Sequence, residues 1–352
     1  MSESRPLTCR PADWVRSIVG RIFLAARLPE HIAGSITEAV VEAHLRGVET
    51  HGLRRVRPYV ARIQSGAVVG NGEPIIQTNG AFLRIDGSNG VGHYIGSVAA
   101  DAVATVASTA GIAIAAIRNS NHFGFAGFYA TRIASHDQIG IVVSNGQVCV
   151  GPSGARKALF SNNPLAIAAP TGNGDAFMEL DLAMSATSRA NIVEAAHNES
   201  PIPAGWAQDT QGLPTIDAKA ALAGSLLPIS GSKGFGLLVA LEALTGVLAG
   251  GAYADLVASK EGSPTTPEGT CHTMIAIDLA HSMSAEQYSE RLCDMFARIA
   301  MLPMRAGAAQ PRHPGKRRWR LRKDRLSNGV PIQLSDLEDI ISLAHELKIE
   351  VP

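Results

Sequence analysis

A chain of 352 residues that is 46% hydrophobic and 18% charged can build one large or two modest cores and gives no compositional reason for general disorder. Its 31 Lys and Arg balance 31 Asp and Glu, so no global charge draws it to nucleic acid or to an anionic membrane. Arg5, Pro6, Arg10, Pro11 and Asp13 interrupt any leader-like apolar core, and no window reaches the ~18 apolar residues of a membrane span. The four scattered cysteines (Cys9, Cys149, Cys271, Cys293) read as reduced thiols, mostly small core residues, and the expected location is cytoplasmic.

In chain order, Ile32, Ile36, Val40, Ala43 and Val48 recur at near-helical spacing and predict a helix over 31–48, with Gly47 near its end. A second short helix is predicted from Pro58 to Gln64, ahead of Gly66. Between them Glu49-Thr50-His51-Gly52 forms a polar joint that sets a histidine in a turn. Short Ile- and Val-rich runs predict strands at Ile112 to Ile117 and Ile139 to Val143, with others at Leu165 to Ala169, Phe177 to Leu182 and Thr273 to Leu279. Helices are predicted over 96–109, 125–136, 234–250 and 284–300. The third lies in the longest apolar stretch, interrupted by Glu242, and reads as buried; the fourth is amphipathic through Tyr288, Leu292, Met295, Phe296 and Ile299. This irregular alternation predicts an α/β fold, a mixed sheet covered by helices. An N-terminal helical segment (1–70), joined by a C-terminal segment (310–352), is expected beside a central α/β unit (71–309).

Several short patterns exclude chemistry. Gly90-Val91-Gly92 with Gly96 is the nearest approach to a dinucleotide fingerprint, but its third glycine is one position late and the acidic partner is missing, so it reads as a loop. Gly231-Ser232-Lys233-Gly234 lacks the spacing of a phosphate-binding P-loop, although a lysine that opens a helix can meet an anion. No Cys/His/Asp cluster supports a metal, and no Gly-x-Ser-x-Gly supports a hydrolase elbow. Arg312 to Arg325 holds eight basic residues and one acid, Asp324. With Pro311 and Pro314 beside it, this run reads either as an extended, solvated segment or as a phosphate contact, on a cofactor or (less in keeping with overall neutrality) a nucleic acid.

Two histidines lie in polar turns. His51 is followed closely by Arg54, Arg55 and Arg57, and imidazole beside guanidinium suits a carboxylate substrate: arginine forks the carboxylate while histidine exchanges a proton with the neighbouring oxygen. His122, in Asn119-Ser120-Asn121-His122-Phe123-Gly124, directly follows a predicted strand, where α/β ligand sites form.

Leu45-Arg46-Gly47-Val48-Glu49-Thr50-His51-Gly52 with Arg55, Asn119 to Gly124, Asn162 to Ala166, Asp181 to Ser185, Pro201-Ile202-Pro203 with Gly205-Trp206, Gly231 to Gly236 and Pro314-Gly315 occur in one order across the chain. Together they resemble the type-2 malate/L-lactate dehydrogenase family, which includes ureidoglycolate, sulfolactate and diketogulonate oxidoreductases and cyclic-imine reductases. The resemblance implies a nicotinamide-binding fold that is not Rossmann, NAD or NADP as cofactor, a small carboxylate substrate and a homodimer with active sites near the interface. It implies His51 or His122 as the acid/base, with His51 favoured, Thr50 orienting the site and Arg55 holding the substrate carboxylate. Asn145, Asp181, Ala183, Met184, Ser185, Lys233, Gly234, Gly315 and Lys316 fall in the family's cofactor segments, and Lys316, Arg317 and Arg318 would suit a 2′-phosphate. Asn191 stands where malate-type members usually carry Lys and cyclic-imine reductases carry Asp; Ser232 replaces a frequent His, and Gln147 lies in a segment that varies with substrate. The implied activity is hydride transfer between nicotinamide and a 2-oxo/2-hydroxy acid. The alternatives are reduction of a cyclic imino acid (pyrroline- or piperideine-2-carboxylate) and a non-enzymatic binder of phosphate or nucleic acid through Arg312 to Arg325.

Overall fold

The computed structural model describes residues 7–172, 174, 176–258 and 265–351. A seven-stranded sheet forms its centre, in the order β2-β3-β4-β11-β5-β6-β7: β2 (Ile75–Asn79), β3 (Phe82–Asp86), β4 (Ile112–Ser120), β5 (Gln138–Ser144), β6 (Leu165–Pro170), β7 (Phe177–Leu182) and β11 (Thr270–Asp278). Only β3 and β4 run parallel; every other neighbouring pair is antiparallel, so the sheet is mixed as expected. Helices α4 (Gly92–Ala110) and α5 (Ala126–Ala134) cover it through Ile95, Ala99, Val103, Tyr129 and Ile133, all buried against β4 and β5.

The two ends of the chain meet. Strand β1 (Leu7–Arg10) pairs antiparallel with β12 (Val330–Gln333), and α1 (Ala12–Ala25), α2 (Glu30–Leu45) and α3 (Val56–Gln64) share one core with α11 (Leu334–Glu346). The third core lies under α6 (Arg189–His197), the small sheet of β8 (Ala207–Gln208), β9 (Pro214–Thr215) and β10 (Ser225–Leu226), α7 (Ala218–Ala223) and α8 (Ser232–Glu242). Helices α9 (Ala285–Ala300) and α10 (Lys316–Asn328) complete the chain.

Four sequence expectations need correction. The helix expected over 234–250 is α8 followed by a π-turn at Ala243–Val247, and it is buried on one face only: Leu238 and Leu241 are buried, while Leu237, Val239, Leu244, Val247 and Leu248 are all exposed. Hydrophobicity all round a helix implies burial only where something covers every face. The basic run is not extended either. Gly315, at φ 90°, turns the chain and α10 begins at Lys316, where arginine and lysine are good helix formers. Gly92 opens α4 and Gly96 lies inside it rather than in a loop; a Cβ on Gly92 would stand 2.2 Å from the Asn121 carbonyl, so this glycine permits close packing. Finally, only Cys271 is buried, while Cys9 and Cys293 are exposed. Among the described residues, no helix is long and apolar enough to cross a membrane.

Candidate active site

The site begins at the end of α2. The Val48 amide donates to the Ala43 carbonyl at 2.7 Å and the Gly47 amide to the His44 carbonyl at 3.1 Å, with Gly47 left-handed at φ 72°. That pair of bonds is the Schellman termination, which requires φ > 0 at this position and so explains glycine there. The chain leaves in a fixed direction into two short 3₁₀ turns, Glu49–His51 and Leu53–Arg55, that run into α3. Thr50 Oγ1 meets His51 Nδ1 at 2.9 Å, and Arg55 Nε donates to the Thr50 carbonyl at 3.0 Å, so threonine orients the imidazole and anchors the guanidinium.

His122 arrives from the opposite side, two residues past β4. Asn121 pins its loop by donating to Asn89 Oδ1 at 2.9 Å and to the Gly90 carbonyl at 2.9 Å. The two imidazoles lie nearly parallel, ring centroids 5.7 Å apart and planes 9° apart. Tyr59 on α3 meets His122 Nδ1 at 2.7 Å, and Glu268 accepts the His122 backbone N–H at 3.0 Å. Burial pushes the Tyr59 phenol well above its ordinary pKa, against the pull of Arg55, so it stays protonated. Glu268 is itself paired with Arg62 at 3.2 Å.

Both histidines face an open cleft of about 340 Å³, also lined by Thr50, Arg55, Phe123–Ala126, Ser144–Gln147, Asp181–Ala183, Ser188–Ala190 and Arg318. Of the residues predicted for the cofactor, Asn145, Asp181 and Ala183 line it; Met184 and Ser185 lie buried just behind. The Asn145 amide is already engaged, its Nδ2 donating to Glu242 Oε1 and the Ala252 carbonyl and its Oδ1 accepting from Cys271 N–H. Lys233, Gly234, Gly315 and Lys316 do not line the cleft. Gly234 packs against the Ile229 carbonyl and Gly315 against β7, where a Cβ would fall 2.7 Å from the Phe177 carbonyl.

Arg318 also lines the cleft, but Nη1 is held by Glu179 at 2.7 Å and Asp181 at 3.0 Å, so it is no open phosphate contact. Behind it, Arg46 bonds Glu42 at 2.8 Å and approaches Glu179 at 3.6 Å, with its guanidinium 4.4 Å from the Trp319 ring. Arg322 closes the network on Glu42 at 2.9 Å. Burial pushes the Glu179 carboxyl up, while Arg46 and Arg318 pull it down. Thus three of the eight basic residues, Arg318, Arg322 and Arg325, turn inward and dock α10 on α2 and β7.

Tyr59, Glu268, Arg62 and Glu242 escaped sequence reading as site residues. Glu242 was visible as a lone acid in an apolar stretch; its carboxylate accepts from Asn145, Asn163 (2.6 Å) and the Ala254 amide, clamping three loops beneath the cleft. Tyr59 lies one helical turn beyond Arg55, the only local hint of its position. Among the described residues, no group of three or more His, Cys, Asp or Glu is arranged to hold a metal.

Comparison with known proteins shows the family. Residues 11–341 match the family model for malate/L-lactate dehydrogenase. The chain belongs to that family. It is 31% identical to a malate dehydrogenase of Pyrococcus horikoshii, covering 97% of this chain and 96% of the relative. It is 32% identical to a delta(1)-pyrroline-2-carboxylate/delta(1)-piperideine-2-carboxylate reductase of Pseudomonas syringae pv. tomato, covering 93% and 94%. The sulfolactate dehydrogenase structure from Methanocaldococcus jannaschii superimposes with a TM-score of 0.90 at 27% identity, over 98% of each chain. With relatives of this kind the chain is an oxidoreductase.

Proposed function

We propose that this chain is an NAD(P)-dependent oxidoreductase that interconverts a small 2-oxo acid and its 2-hydroxy acid. The observation that carries the reading is that His51, His122 and Arg55 line a single cleft, with the two imidazoles 5.7 Å apart. The remainder of that cleft fits a nicotinamide nucleotide: Gly124, Ala126, Gly146 and Ala183 leave room for a flat ring, and Asp181 offers a carboxylate to ribose hydroxyls. When bound, the nicotinamide supplies the hydride.

Arg55 would hold the substrate carboxylate, setting the carbonyl carbon for attack. As hydride reaches that carbon, the carbonyl π pair moves to oxygen, and His51 delivers the proton that makes the hydroxyl; in the oxidative direction His51 takes it back. Thr50 keeps the ring aimed through Nδ1. A cyclic imino acid is the second reading, supported by the 32% identical reductase and by Asn191, whose amide donates to Thr187 Oγ1 at 3.0 Å and brings neither cation nor carboxylate to the rim.

A 340 nm assay decides between them. NADH and NADPH would be offered separately against pyruvate, oxaloacetate, 2-oxoglutarate, sulfopyruvate, a diketo sugar acid and pyrroline-2-carboxylate. Turnover of an acyclic 2-oxo acid is the expected result; a preference for the imine promotes the second reading, and absence of both turnover and cofactor binding overturns the proposal. The exposed apolar stripe of Leu237, Leu244, Val247 and Leu248 supports a homodimer, since such a patch marks an interaction surface.

A further inference from the structure

The central strand β11 carries a histidine at the point where its two neighbours part. Ser120 and Ser144 are the last residues of β4 and β5, the strands on either side of β11. Beyond these serines both strands lead into loops that line the cleft, β4 into the loop of His122 and β5 into Asn145–Gln147. His272 lies between the serines, fully buried. Its Nδ1 meets Ser144 Oγ at 2.8 Å and its Nε2 meets Ser120 Oγ at 2.9 Å, so one imidazole joins the two strand ends. Its face stacks on Phe123, the residue after His122, with ring centroids 4.1 Å apart and planes 8° apart. Each serine carries the constraint onward: Ser144 Oγ lies 2.7 Å from the Asn145 carbonyl, and Ser120 Oγ 3.5 Å from that of Asn121.

Packing alone does not ask for histidine here. Met274 and Ala276, on the same face of β11, are apolar and fully buried, and an apolar residue would continue their series. A buried imidazole costs free energy unless its nitrogens are bonded, and here both are. The register of β11 against β4 also shifts between Thr270 and His272, so the side-chain bond holds Ser120 where the backbone ladder is irregular.

We propose that His272 is a positioning residue, a strap that fixes the separation of the His122 loop from the Asn145–Gln147 loop and so the alignment of the site's proton donor with the bound nucleotide. This rests on the oxidoreductase reading above. The strap touches neither substrate nor cofactor, yet a displacement of about 1 Å between reacting groups costs on the order of 10²-fold in rate.

The test is hydrogen exchange by mass spectrometry on the ligand-free, full-length protein, with Ser120→Ala, Ser144→Ala, the double variant and His272→Phe, which keeps the stack on Phe123. The expected result crosses the cleft. Ser144→Ala speeds exchange at 121–125, and Ser120→Ala speeds it at 145–148, each by roughly 5-fold, the equivalent of one hydrogen bond. The double variant goes no further than His272→Phe, because cutting either end already frees the strap. On the preferred substrate, kcat per folded chain falls ~10–100-fold in His272→Phe with KM less affected. Exchange that rises only in the loop next to the altered serine overturns the proposal, as do serine effects that multiply in the double variant. Loosened loops with a parental kcat overturn the positioning role. Should His272→Phe fail to fold, the serine variants, each short of one hydroxyl, decide the matter. Exchange needs no substrate, so a chain inactive on every compound offered counts against the oxidoreductase reading and leaves the strap decided separately.

Discussion

Acid should unfold this protein through two histidines that the fold holds uncharged. His44, in the last turn of α2, is 1% exposed, and among the described residues neither ring nitrogen has a hydrogen-bond partner. Burial, reinforced by Arg325 and Arg54, pushes it from 6.5 to about 3. His272 in β11 is fully buried between Ser144 and Ser120 and stacked on Phe123, and burial likewise takes it to about 3. For a base depressed on folding, the unfolded chain binds the extra proton. Its contribution is therefore complete above 6.5, is lost progressively below it, and levels off near 3. At pH 5 the unfolded state sits 1.5 units below its midpoint, so each histidine costs about 2 kcal/mol and the pair about 4. His44→Met removes one titration and one buried unpaired N–H at similar volume. Urea unfolding at pH 7.5 and 5.0 should show the variant losing about 2 kcal/mol less than the parent, with unchanged m-values. Carboxylates titrate in both proteins and cancel in the comparison. Equal losses in variant and parent would refute the argument.

His51→Ala is expected to lower turnover by about 10²–10⁴-fold with nucleotide binding, followed by fluorescence, largely intact. Arg46→Met removes the cation that buried Glu42 and Glu179 share while Arg322 and Arg318 remain on them, and should cost about 1.5–3 kcal/mol in urea unfolding; a loss under about 0.5 kcal/mol would show the network to be slack. In Gly52→Ala the new methyl would fall 2.1 Å from His44 Cδ2, displacing the His51 turn and costing about 1–3 kcal/mol, and His44→Ala in the same chain should restore activity by removing the obstacle. Leu237→Asp with Val247→Asp should convert the proposed dimer to monomer by light scattering; a monomeric parent would rule out that use of the stripe.

The turns that carry His51 and His122 were legible because polar residues sat where helix and strand patterns stop, and because Gly47 and Asn119–Gly124 carry the chemistry of those turns themselves. The sheet's inner strands were legible as well, since covered strands read as unbroken Ile and Val. Strand β2 was not: Ile75–Asn79 is exposed throughout, so it shows no buried alternation. Helix α1 hid behind Pro11, which looks like a breaker yet stands just ahead of the first turn, where a missing N–H costs nothing. Helix α10 has almost no apolar periodicity, because ion pairs to Glu42, Glu179 and Asp181 and one buried Trp319 hold it in place. Tyr59 and Glu268 reach His122 from 63 and 146 residues away, a proximity that only the tertiary fold creates.

The pairing of β1 with β12, and the core that α1 to α3 share with α11, also set a timetable for synthesis. The first three helices leave the ribosome roughly 270 residues before their partners, an interval of roughly 15–55 s at ordinary elongation rates. Throughout that time Ile18, Ile22, Ile36 and Val40 lack part of their cover. The cleft, walled by Arg318, stays incomplete until that residue has been made. Until α11 emerges the site cannot assemble, and α1 to α3 are the segment on which a chaperone would act.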